Sequence, residues 1–204
     1  MARWLAISAL VLLALAVAAQ FVIPPVAEKR IEDRLTDRGG TASASIAAFP
    51  AARLLFDDGD RISVSGDGLD LPLQEGADAF DRLDGFDEVD VRLHDFRAGP
   101  FAVRSFELAR SGSSASYHLI SSSKATPGDI ASYGASRLGL PGGPLLRFFA
   151  DQALGSRRMV PIDLDMQFRS DGGRVVVVSG GGSVAGLPTG PLAELVTSAI
   201  VVQL

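Results

Sequence analysis

The order of apolar and polar positions divides the chain into one long greasy segment and a series of alternating ones. Trp4 to Ile23 reads WLAISALVLLALAVAAQFVI without a charged side chain, about the 20 residues a helix needs to cross a bilayer. Pro24-Pro25 come next and are expected to stop that helix. Val26 to Arg38 is dense in charge, and within it Ala27, Ile31 and Leu35 recur every fourth residue, the narrow stripe of an amphipathic helix. Gly39-Gly40 ends it. The period then becomes two. Ala42, Ala44 and Ile46 alternate with serines, then Ile62 and Val64, Leu69, Leu71 and Leu73, and Val89, Val91 and Leu93, each with polar neighbours. Phe106 and Leu108, then Tyr117 and Leu119, continue the series. The clearest run sets Val160, Ile162, Leu164, Met166 and Phe168 against Pro161, Asp163, Asp165, Gln167 and Arg169. Such alternation marks strands with one buried and one wet face. With short links it predicts an antiparallel sheet, because parallel sheets are usually buried on both faces. Asp171-Gly172-Gly173 predicts a turn into a partner strand, Arg174 to Ser179.

Three helical patterns interrupt the strands. Thr126-Pro127-Gly128-Asp129 supplies a Thr cap, a Pro at the first helical position and an acid at the third. Pro144 opens a second helix to about Leu154, apolar except for Arg147, Asp151 and Gln152. Leu192, Leu195, Val196 and Ile200 have helical spacing near the C-terminus. The expectation is an α+β architecture, a curved antiparallel β-sheet packed on two to three helices. It fills one domain over residues 24–204, after an N-terminal transmembrane or signal helix at residues 1–23.

Arg3 gives the apolar segment a positive flank, which orients its N-terminus towards the cytoplasm. Ala16-Val17-Ala18 fits a signal-peptidase site, so a cleaved signal peptide rivals a retained anchor. Phe21, Val22 and Ile23 extend the apolar run past that site and favour the anchor. Both readings put residues 24–204 on the extracytoplasmic (periplasmic) side, tethered to the plasma membrane or secreted. The chain has no cysteine, which excludes thiol catalysis and Cys-ligated metal. Charge is uneven: Arg53 to Arg97 holds 13 acidic and 5 basic residues, a balance of −8, whereas Ala98 to the end holds 7 and 9, or +2. An acidic middle is unsuited to nucleic acid, which needs a basic footprint.

The motifs that suggest chemistry lack its context. Gly180-Gly181-Gly182-Ser183-Val184-Ala185 matches a dinucleotide fingerprint, but too few residues follow for the helix, strand and ribose-binding acid of that unit; a Gly turn or bulge between strands is expected. Asp163-Leu164-Asp165 shares the wet side of a strand with Gln167 and Arg169. Asp57-Asp58-Gly59-Asp60 lacks the spaced ligands and closing Glu of an EF-hand loop and reads as a turn. His94 and His118 are too few for a metal cluster. The serines of Ser111 to Ser116 and Ser121 to Ser123 have no adjacent base. No catalytic set, metal or cofactor is expected.

The apolar pieces point instead to a lined slot. Phe49, Leu54, Leu55 and Phe56 are candidates for one wall, and Leu145, Leu146, Phe148 and Phe149 for a lining or gating helix, although residue by residue ordinary core is the simpler account. The hydrophobic N-terminus, the charged helix VAEKRIEDRL, a short strand, AFPAARLLF, the strand RISVSGDGLDL, and later ATPGDIASYGASRL with PIDLDMQFRSDGGRVVVVSGGGSVAGLP follow in order. This series resembles the LmeA family, exported lipid-binding proteins of actinobacterial envelopes, over most of the chain from Val26 onward. The resemblance implies a TULIP-like fold, in which a curled sheet holds acyl chains against a long helix. It also implies non-catalytic binding or transfer of membrane phospholipid, in support of envelope or lipoglycan assembly. Charge places Arg137, Arg147, Arg157 and Arg158 best to meet an anionic headgroup. Two alternatives stay open: an envelope protein–protein adaptor docking through the 144–154 helix, and an enzyme using carboxylates between Asp57 and Asp95.

Overall fold

The computed structural model describes residues 2–72, 80–129, 159–171, 174–184 and 187–188. Helix α1 (Ala2–Thr36) leads into strand β1 (Thr41–Ala47), a 3-10 helix (Ala51–Phe56), β2 (Gly59–Asp67) and the short β3 (Asp70–Leu71). Helix α2 (Asp81–Asp84) precedes β4 (Phe86–Ala98), β5 (Phe101–Ser111) and β6 (Tyr117–Ala125). The last described strands are β7 (Val160–Asp171), β8 (Arg174–Val184) and β9 (Leu187–Pro188). They form one open, curved sheet in the order β1-β2-β4-β5-β6-β7-β8-β9, with β3 paired to β4.

Alternation placed the faces correctly. Ile162, Leu164, Met166 and Phe168 are buried, while Pro161, Asp163, Asp165, Gln167 and Arg169 are exposed. Ala44, Ile46, Ile62, Val64, Leu69, Leu71, Val89, Val91, Leu93, Phe106, Leu108, Tyr117 and Leu119 also join the core. The prediction of a wholly antiparallel sheet is corrected: β2 runs parallel to β4, from Gly59↔Phe86 to Asp67↔His94, and β3 is parallel to β4 as well. The connection from β2 to β4 is a crossover that includes α2, and such a crossover is what a parallel pair requires. Alternation reports a wet and a dry face, and it argues against parallel pairing only where a parallel pair is covered on both faces, which β2 and β4 are not.

The expected break at Pro24-Pro25 is also corrected, since α1 is one helix of 35 residues through both prolines, about 52 Å long at 1.5 Å per residue. The prolines deprive only the Gln20 and Phe21 carbonyls of helical donors, and α1 is docked on both sides of them. On the N-terminal side the Gln20 side chain bonds Ala48 and Ala51. On the C-terminal side Glu28 Oε1 accepts the Ile46 N–H at 2.8 Å and Glu32 Oε1 accepts the Ala44 N–H at 2.9 Å. Four helical residues rise about 6.0 Å and two strand residues about 6.8 Å, so a Glu pair at i and i+4 matches alternate N–H groups of an edge strand. The stripe expected on this helix is in place, with Ile31 and Leu35 buried and Ala27 packed on the core.

An uncovered edge invites strand addition. Glu28→Ala with Glu32→Ala is expected to speed amide exchange at Ala44 and Ile46 and to promote self-association through β1, with a loss of about 1–3 kcal/mol for the two charge-assisted bonds. Exchange mass spectrometry and light scattering would measure both effects.

Behind α2 lies a polar knot. The Arg110 side chain, 3% exposed, donates to the carbonyls of Leu83 at 2.9 Å, Asp84 at 3.2 Å and Phe86, and to Asp84 Oδ1 at 3.2 Å. The Tyr117 hydroxyl donates to the same carboxylate oxygen at 2.8 Å, and the guanidinium lies 4.6 Å from the Tyr117 ring centre. Burial, above all, pushes the Tyr117 hydroxyl far above the usual tyrosine value. Phe80 meets Tyr117 and Phe168 edge-on at 5.4 and 5.1 Å, so the aromatic cluster and the knot together fasten the crossover to the sheet.

Candidate functional site

A cavity of about 270 Å3 lies between α1, the 3-10 helix, α2 and the sheet. Ile31, Ile46, Leu54, Ile62, Leu83 and Phe86 line part of it, and all but Leu54 are buried, so little of their surface is open to the cavity. Arg30, Arg34 and Arg82 line it too, and all three are exposed. Against these three cations stands one acid, Asp57. None of the three arginines makes an ion pair among the described residues. A recess that joins apolar side chains to three guanidinium groups and one carboxylate suits a short acyl segment carrying an anionic group.

The local sequence explains the construction. The i, i+4 spacing of Arg30 and Arg34 puts both on the flank of the Ile31–Leu35 stripe. Asp57 closes the 3-10 helix in the left-handed region at φ 54°. Gly85 lets α2 come up against that corner, because a Cβ there would fall 1.9 Å from the Asp57 carbonyl oxygen. The Gly59 N–H then bonds the Gly85 carbonyl at 3.1 Å. On the far side Arg110 holds the carbonyls of Leu83 and Phe86, two of the residues that line the cavity.

Of the ledge expected as a wall, only Leu54 reaches this cavity. Phe49 is 77%, Leu55 69% and Phe56 82% exposed. These three stand on the outside of the corner and line no described recess. The acidic turn is largely neutralised from within. Arg53 bridges Asp58 and Asp60, both at 2.7 Å, and its hydrogen bonds hold the Asp58 carboxyl below the ordinary carboxylate value. Leu145, Leu146, Phe148 and Phe149, with Arg137, Arg147, Arg157 and Arg158, lie outside the described residues, as does the 144–154 helix.

Other expected features have definite places. Thr126 caps the next helical turn, its Oγ1 accepting the Asp129 N–H at 3.2 Å and donating to Asp129 Oδ2 at 2.7 Å. His94 is exposed, and His118 pairs with Asp165 at 3.0 Å on the wet face. Gly180-Gly181-Gly182 belongs to β8 and is not a turn. At φ 84° Gly180 passes so close to β7 that a Cβ would sit 2.3 Å from the Asp165 carbonyl oxygen, beside a bulge opposite Gln167 and Phe168. No group of His, Cys, Asp and Glu able to hold a metal occurs among the described residues. A broader recess of about 590 Å3 at the β3–β6 surface has Asp70 and Asp95 beside Arg97, Arg104 and Lys124, a mixture of signs that favours no apolar ligand.

Sequence reasoning missed Arg30, Arg34, Arg82 and Arg110. For Arg110 a signal was present: it continues the parity of Phe106 and Leu108, and a charge on the dry face of a strand needs a partner. No protein-family model, curated protein or solved structure matches the chain.

Proposed function

We propose that the protein binds a membrane phospholipid without catalysis, at the outer side of the plasma membrane and in support of envelope assembly. An acyl segment enters the cavity under α1, and the anionic headgroup meets Arg30, Arg34 and Arg82. The observation that carries this reading is the pairing, in one cavity, of apolar side chains with three arginines against a single acid, Asp57. At about 270 Å3 the cavity falls just below the range of roughly 300–1,000 Å3 common for small-molecule sites, which suits part of one chain. The TULIP-like comparison and the resemblance to LmeA belong to this proposal, supported by a curved sheet with a long helix along its edge.

Anchoring is part of the proposal as well. Among the described residues no helix is long and apolar enough to cross a membrane, but several side chains of residues 2–16 are outside that description. The full sequence runs uncharged from Trp4 to Ile23 within a continuous helix, and we take that run as the span. The adaptor alternative rests on the 144–154 helix and gains no observation. Among the carboxylates of the enzyme alternative, Asp58, Asp60 and Asp84 are each engaged by an arginine.

The test is lipid identification on protein extracted gently from its native membrane. Native mass spectrometry should show a phospholipid adduct, enriched in anionic headgroups. Ligand-free protein that also takes up no phosphatidylglycerol from vesicles would remove the reading.

A further inference from the structure

Phe49, Leu55 and Phe56 form an apolar outer corner, and contiguous exposed apolar side chains mark contact surfaces. This corner is fixed to α1 at one place. Gln20 Nε2 donates to the Ala48 carbonyl at 2.8 Å, and Gln20 Oε1 accepts the Ala51 N–H at 2.8 Å. Gln20 lies in the last turn of the uncharged run, about 4.5 Å along the axis from Ile23, and its neighbours Phe21 and Val22 are exposed as well. A bilayer that receives Trp4–Ile23 therefore has its surface at the level of the corner. Of the nearby acids, Asp58 and Asp60 are held by Arg53, and Asp57 lines the cavity with Arg30, Arg34 and Arg82.

We infer that Phe49, Leu55 and Phe56 enter the lipid interface beside α1 and give the domain a second foothold on the membrane. The occupant of this surface is the bilayer itself, and the inference rests on reading α1 as a membrane span. A single helix leaves a domain free to swing about its axis. A second apolar contact fixes the rotation, as aromatic and aliphatic side chains do at the headgroup boundary. Arg30 and Arg34 then stand about 10 and 16 Å beyond Ile23 along α1, where they can meet headgroups.

The absence of cysteine makes the test direct. The full chain carries single substitutions Phe49→Cys, Leu55→Cys or Phe56→Cys, each labelled with a nitroxide. It is reconstituted at low density into vesicles of phosphatidylcholine and phosphatidylglycerol. Leu13→Cys reports on the span and Glu107→Cys on the wet face of β5. The ratio of collisions with oxygen to collisions with an aqueous nickel chelate should rise several-fold at 49, 55 and 56 relative to 107, approaching the value at 13. Corner labels as wet as 107, with 13 dry, would overturn the foothold while leaving the span intact. A wet label at 13 would overturn the span and the foothold together. Dry corner labels with dipolar broadening between nitroxides would reveal a second copy on the surface, and would also overturn the inference. The triple variant Phe49→Ser, Leu55→Ser, Phe56→Ser, which leaves the core residues in place, should increase the rotational mobility of a label at 107.

Discussion

Replacing Arg110 with alanine should lower the stability of the domain by about 3–5 kcal/mol, the cost of removing one partner from a buried charged network. The Arg110 fork satisfies the carbonyls of Leu83, Asp84 and Phe86 at once, together with Asp84 Oδ1. Alanine leaves all of them without that donor and opens a void under the Tyr117 ring. Asp84→Asn should cost much less, nearer 1 kcal/mol, because its side chain is 31% exposed and water screens the lost charge. Urea unfolding of the full chain in detergent, followed by circular dichroism, compares the two variants. Lysine at 110 keeps the charge but cannot span three carbonyls, so Arg110→Lys should recover only part of the loss. A loss for Arg110→Ala no larger than that for Asp84→Asn would show that the crossover is held by its aromatic contacts instead. The effect should extend to the site, since Leu83 and Phe86 line the cavity and their carbonyls are bonded to Arg110.

What could be read from the chain depended on whether the signal was local. The dry face of β7 was legible from Ile162 to Phe168 because a two-residue period directly records which side chains meet water. The direction of β2 beside β4 was not, because both directions give the same alternation. Pro24-Pro25 misled for a related reason: the rule for an isolated helix is sound, but Gln20 docks α1 to Ala48 and Ala51 on one side of the prolines, and Glu28 and Glu32 dock it to β1 on the other. At the site, Leu54 lines the cavity, whereas Phe49, Leu55 and Phe56 face outward. Apolar character marks a residue for contact without saying with what. Arg30 and Arg34 were within reach of a helical-wheel argument from Ile31 and Leu35. Arg82 was not, because the crossover that brings it over the cavity is set by Gly85 and Arg110, both remote from α1 in sequence. In the acidic middle, Asp58, Asp60, Asp84, Glu88 and Asp90 pair with arginines while staying partly exposed, a pairing that a count of charges along the chain does not reveal.

Reversing the charge of Arg30, Arg34 and Arg82 together should weaken retention of phosphatidylglycerol by roughly a hundredfold. Each guanidinium is exposed, so its attraction for a headgroup belongs near the upper end of surface ion pairs, about 1 kcal/mol; three such losses amount to about two factors of ten at 1.4 kcal/mol each. Repulsion from the new glutamates adds to the loss, and salt should reduce the difference because these charges face solvent. Retention of phosphatidylcholine, which has no net charge, should change by only a few-fold. Leu54→Trp makes the complementary change: it fills the apolar recess, leaves the arginines untouched and should diminish both lipids alike. Lipid extraction and mass spectrometry after reconstitution measure all four combinations. Equal loss of both lipids in the charge-reversed variant would assign the arginines to the packing of α1 and α2 rather than to a headgroup. Unchanged retention in both variants would place any lipid site outside this cavity.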